Sequence, residues 1–149
     1  MKLKQIFSLL LVCVSFVSFA QNAPKANIKL ISAYTRKIPQ SAQTNPPMAG
    51  SFFVIRWNEA TYPETMFWRG ENGWLTCKIE KAAKRGGAYQ GKETEIDKIK
   101  KGDLLFITPL TGGRFPIPAE IPENAKNTLF YKTAGSAWIG FHIKKFSKK

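Results

Sequence analysis

Cysteine is almost missing from this chain. There are two in 149 residues, Cys13 and Cys77, and Cys13 falls inside an N-terminal apolar run. If that run is removed on export, Cys77 is left alone, and a lone thiol makes no internal disulfide. Histidine is scarcer still, with His142 the single example. Zinc wants three or four Cys, His or carboxylate ligands at set spacings, and blue copper wants two histidines and a cysteine. Neither set is available, so no metal or other cofactor is expected. Acidic residues are also few, ten against 23 lysines and arginines. None of them forms the Asp-x-Asp-x-Asp-Gly run of a calcium loop. Beyond residue 20 no apolar stretch approaches the ~20 residues of a spanning helix. Helical periodicity is largely absent too.

The first 20 residues have an order of their own. Lys2 and Lys4 precede the apolar run 6–19, and Ser18-Phe19-Ala20 forms a small-x-small site before Gln21. That order is a cleaved signal peptide, and export to a periplasm or the extracellular space is expected. Removal of 20 residues leaves 129. It takes two lysines and no acid, so the formal charge falls from +13 to +11. A chain of this size buries roughly two-thirds of its unfolded surface, enough for a core held by packing alone. The positive charge keeps such a domain soluble and draws it toward anionic partners, such as an anionic envelope surface.

Residues 51–81 organise what remains. They hold three of the four tryptophans, Trp57, Trp68 and Trp74, and the hairpin signal Asn72-Gly73. Residues 51–57 are apolar at nearly every position, as in a central strand covered on both faces. Residues 63–69 and 74–81 follow as strands. In the latter Leu75, Cys77 and Ile79 alternate with Trp74, Thr76, Lys78 and Glu80. Further strands are predicted at 26–35, 104–108, 127–133 and 137–146, with a short edge strand at 93–96. A helical turn capped by Asp97 is predicted over 97–101. Residues 21–25 form a loose lead. Residues 82–91 are predicted to be an exposed excursion, and 36–50 and 109–126 to be long proline-rich connections.

About eight short strands with almost no helix predict an all-β domain over 26–149. The expected form is an immunoglobulin-like antiparallel β-sandwich, with a small β-barrel as the alternative.

Candidate sites are weighed by what chemistry demands. Cys77, between Leu75 and Ile79, packs as a small hydrophobe. His142 has no carboxylate near it in sequence to orient it as a base. Glu64 with Glu71, and Glu93 with Glu95, are the available carboxylate pairs, and a glycosidase needs such a pair across a cleft. Trp57 continues the row of Phe53 and Ile55 and belongs to the core. Trp74 and Trp138 fall opposite the apolar rows of their strands, and Trp68 is ambiguous. Outward indoles beside lysines make a stacking platform for sugar faces. Trp68, Trp74, Trp138, Lys78 and His142 are therefore the candidate ligand-binding residues. The basic clusters are rich in lysine and carry no nucleic-acid-binding signature, so nucleic acid is not the expected partner.

The expected function is that of a non-catalytic binding or accessory module of the cell envelope. It meets a glycan, an anionic surface or a protein partner through aromatics and basic patches. A glycosidase using paired glutamates and a purely structural or assembly module are the alternatives.

Overall fold

The computed structural model describes residues 24–36, 50–71, 73–111, 119–121 and 125–148. The expected signal segment lies outside these residues. The described residues form nine strands: β1 (Ile28–Thr35), β2 (Ser51–Trp57), β3 (Pro63–Gly70), β4 (Gly73–Arg85), β5 (Ala88–Lys92), β6 (Leu104–Pro109), β7 (Thr128–Thr133), β8 (Ile139–His142) and β9 (Ser147–Lys148). They form one hydrogen-bonded sheet in the order β8-β7-β3-β4-β6-β2-β1-β9, with β5 added to β4. Neighbours are antiparallel, except that β9 runs parallel to β1.

Strand β4 is the seam of this sheet. Its first residues, Gly73–Thr76, pair with β3, and Cys77–Lys81 pair with β6. Its last part, Lys81–Arg85, pairs with β5. Lys81 stands opposite both Lys92 and Leu105, so β5 and β6 flank β4 on opposite sides.

The sheet curls into a half-barrel. Strands β2 and β3 are not neighbours in the ladder, yet the rings of Phe53 and Trp68 lie 4.6 Å apart. Trp57 and Tyr131 meet across the same interior at 5.0 Å. The extreme strands β8 and β9 are joined by residues 143–146 alone. Five Cα steps of at most ~3.6 Å reach about 18 Å, so the two edges must come close together. Phe53, Ile55, Trp57, Leu105, Ile107, Leu129 and Tyr131 are fully enclosed in this interior.

The outer side carries two apolar clusters. One gathers Tyr34, Phe52, Val54 and Phe106, with Tyr89 and Ala82 against them. This is why β2 has no polar alternation before Arg56: Phe52 and Val54 are buried outward while Phe53 and Ile55 are buried inward. The other gathers Phe67 and Phe130 beneath Ile121, with Trp74, Ala125 and Trp138 at its margin.

The all-β, antiparallel expectation holds. Two separate immunoglobulin-like sheets are not established, because the pairing is continuous through β4. The excursion predicted at 82–91 is instead the β4–β5 hairpin. Gly86 and Gly87 have φ of 54° and 80°, and two consecutive glycines of positive φ supply a tight hairpin turn whose twist matches the strands. The edge strand is therefore β5, and residues 93–95 are not in a strand. The helical turn lies earlier than predicted, as a 3₁₀ turn over Ile96–Lys98 with no side-chain cap. The last predicted strand is cut at His142, where the chain leaves β7 and crosses to β1.

Candidate functional site

The β3–β4 hairpin sits at one end of the half-barrel. Gly70 pairs with Gly73, and Glu71 is exposed in the turn between them. Two residues back, Trp68 points inward. Its ring packs on Phe53 and on Phe146, the latter at 5.7 Å, and only 4% of its surface is exposed. The indole edge lies directly on the backbone of Gly70, where an added Cβ would stand 2.8 Å from Nε1.

Trp74 belongs to the other side of the sheet. It is half-buried, with Phe130 at 5.5 Å and the Arg69 guanidinium 5.6 Å above its ring. Arg69 also donates from Nη1 to the Gly70 carbonyl at 3.2 Å, while among the described residues its buried Nε has no partner.

Trp68, Trp74 and Phe146 wall a cavity of about 650 Å³ at this end of the barrel. Ligand pockets run from about 300 to 1,000 Å³, so the space suits a sugar-sized molecule. Thr35 and Ser51 line it from the last residue of β1 and the first of β2. Thr111 and Asn127 line it just after β6 and just before β7. These four residues bracket the two proline-rich connections, so both connections begin and end at this rim. Their residues 37–49, 112–118 and 122–124 lie outside the described ones.

The five candidate residues divide as follows. Trp68 and Trp74 reach the cavity from the inner and outer sides of the sheet. Trp138 does not; it packs at 5.5 Å against Phe67 in the outer cluster and is half-buried. Lys78 is exposed on β4 and ion-paired with Glu80 at 2.9 Å. His142 is exposed, in a cross-strand row running Trp74–Arg69–Thr128–His142. Its Nδ1 lies 3.1 Å from the Lys126 carbonyl, an acceptor that an Nδ1–H can reach. Sequence reasoning missed Phe146, Thr35, Ser51, Thr111 and Asn127 as site residues. The signal that pointed to four of them was the pair of long connections they bracket.

Burial pushes the Cys77 thiol well above its ordinary range, which suppresses the thiolate. Glu64 is the second residue of β3 and Glu71 lies just past its end, seven residues apart. At ~3.3 Å per residue their backbones stand about 23 Å apart, far beyond the ~5 to 9.5 Å of glycosidase pairs. Among the described residues no three His, Cys, Asp or Glu side chains cluster to hold a metal. No helix there is long and apolar enough to cross a membrane.

At the opposite end of the barrel the Tyr131 hydroxyl and the Asn27 N–H both donate to Glu59 Oε1, at 2.5 and 3.1 Å. Burial first, and then the hydrogen bond to Glu59, raise the Tyr131 pKa far out of its normal range. This is a pin between the start of β1, the β2–β3 turn and β7.

Comparison with protein-family models, with curated proteins and with solved structures finds no match to this chain.

Proposed function

We propose that the protein is an exported, non-catalytic binding module of the cell envelope that takes a saccharide unit in the cavity at the mouth of its half-barrel. One observation carries the reading. A sugar-sized cavity is walled by Trp68, Trp74 and Phe146 and rimmed by the ends of both proline-rich connections. Binding residues concentrate on loops held by a rigid scaffold. Apolar rings flanked by hydroxyl, amide and carboxylate groups suit a molecule with an apolar face and a polar edge.

The same wall speaks against bond cleavage. Among the described residues Glu71 is the one carboxylate in it, and a glycosidase of the usual kind needs two. The exposed basic residues of the β4–β5 hairpin, Lys84, Arg85 and Lys92, support a supplementary contact with an anionic envelope surface.

Tryptophan emission followed during titration with neutral and acidic oligosaccharides tests the proposal, with calorimetry alongside. Saturable binding that Trp74→Ala abolishes is the expected result. Absence of heat and of any emission change with every sugar would remove the saccharide reading.

A further inference from the structure

Charge is distributed unevenly around the mouth. The chain carries a formal +13, yet among the described residues no lysine or arginine lines the cavity. Among those residues Glu71 is the only charged side chain in the lining. Glu71 takes part in neither of the ion pairs found among the described residues, which join Lys78 to Glu80 and Lys81 to Asp103. The adjacent cation, Arg69, is turned over Trp74 and bonded to the Gly70 carbonyl. The described part of the cavity wall in this strongly basic protein thus carries a negative group and no cation.

Its polar groups impose a pattern on the occupant. An ionised carboxylate only accepts hydrogen bonds, so Glu71 calls for hydroxyl or ammonium donors. The Trp68 indole N–H can only donate, so it suits an oxygen acceptor. A sugar ring with free hydroxyls meets both demands through adjacent oxygens. A carboxylate, sulfate or phosphate on the sugar meets neither at Glu71 and adds like-charge repulsion.

Resting on the saccharide reading above, we infer that the cavity selects a non-acidic saccharide unit, whose hydroxyl or ammonium donors pair with Glu71, and rejects acidic sugars. The basic outer surface and the cavity then serve different ligands. Attraction to polyanions belongs to the surface and weakens with salt, while recognition in the cavity does not depend on it.

The test is calorimetric titration of the purified protein in about 0.15 M salt. The probes are the tetramers of N-acetylglucosamine, glucosamine and galacturonic acid. The neutral and amino tetramers are expected to bind, and the galacturonate tetramer to bind the cavity about tenfold more weakly. Glu71→Gln should narrow that gap to about threefold and weaken the glucosamine tetramer about fivefold, the scale of one charge pair at about 4 Å screened as in bulk water. Glu71 sits exposed in a turn, so this variant keeps the fold. Galacturonate that binds as tightly as the neutral tetramer, and is lost in Trp74→Ala, overturns the inference while leaving a saccharide site in place. Galacturonate binding that survives Trp74→Ala and vanishes in about 1 M salt is surface contact and supports the division. If no tetramer binds at all, the saccharide reading itself falls, and the inference falls with it.

Discussion

Gly70→Ala is the most informative single change. The added methyl would lie 2.8 Å from Trp68 Nε1, closer than van der Waals contact permits. Relief requires either the indole or the backbone to move. The indole has little room, since Phe53 and Phe146 hold it at 4.6 and 5.7 Å and it is almost wholly enclosed. The backbone is held by the Gly70–Gly73 pair that closes the hairpin. Overpacking of this kind costs about 1–3 kcal/mol. For a domain of this length that is roughly 3–10 °C in Tm.

Gly73→Ala is the matching control. Gly73 has φ of 137° and nothing within 4 Å of an added Cβ. Its substitution strains the backbone without touching Trp68. Both variants should therefore lose stability in denaturant melts. Gly70→Ala alone should alter the near-ultraviolet dichroism of the buried indole and weaken ligand binding. If Gly70→Ala melts within about 0.5 kcal/mol of the parent with an unchanged aromatic spectrum, the packing of Trp68 on Gly70 is not as described.

Other outcomes follow from the same packing. Gly140→Ala places a methyl 2.8 Å from Phe130 Cε1, and should cost about 1–3 kcal/mol while shifting the emission of Trp74 and Trp138, measured by fluorescence-detected melting. Glu59→Ala removes the acceptor shared by Tyr131 and Asn27, with an expected loss of about 1–3 kcal/mol in urea titration; Glu59→Gln, which keeps an acceptor, should recover part of it. Burial tends to raise the Asp103 pKa, but the Lys100 N–H and the Lys81 and Lys100 charges hold it below its ordinary value. Its contribution is therefore present above the unfolded carboxylate pKa and lost as pH falls through the lower folded value. The stability advantage of the parent over Asp103→Asn, compared from about pH 6 to pH 2, should shrink only in the acid limb. Cys77 should resist iodoacetamide at about pH 8 in the native protein and react once it is unfolded.

The elements that were legible in the sequence were those whose signal is local. Period-two patterning placed Trp57 in the interior, at 0% exposure, and put Trp74 and Trp138 on the opposite side from their apolar rows. A run without polar alternation marked β2 as a strand covered on both faces. The Gly86-Gly87 pair was equally local, but lysines on either side made the segment look like a solvated loop. Those lysines are the exposed flank of a hairpin. The cavity was beyond local reasoning. Its walls come from Thr35, Ser51, Trp68, Thr111, Asn127 and Phe146, which meet only when the sheet curls. No pattern of spacing announces that a phenylalanine in a basic tail will pack between two aromatics of the core.

The position of the cavity follows from how the sheet ends. A closed barrel would bond β8 to its neighbour across the gap and fill the interior with side chains. Here β8 stops at His142, and residues 143–146 leave the ladder before β9 joins β1 through only the pairs Tyr34–Ser147 and Thr35–Lys148. So short a ladder gives β9 little hold of its own, and Phe146 supplies much of the rest by packing on Phe53 and Trp68. Phe146→Ala should therefore do two things at once. It should release the tail, seen as fast amide exchange at residues 147 and 148, and it should remove one wall of the cavity. The half-buried ring sets a cost of about 2–3 kcal/mol, toward the low end for loss of an aromatic. Tail release with undiminished sugar binding would mean that Phe146 anchors the edge of the barrel without shaping the site.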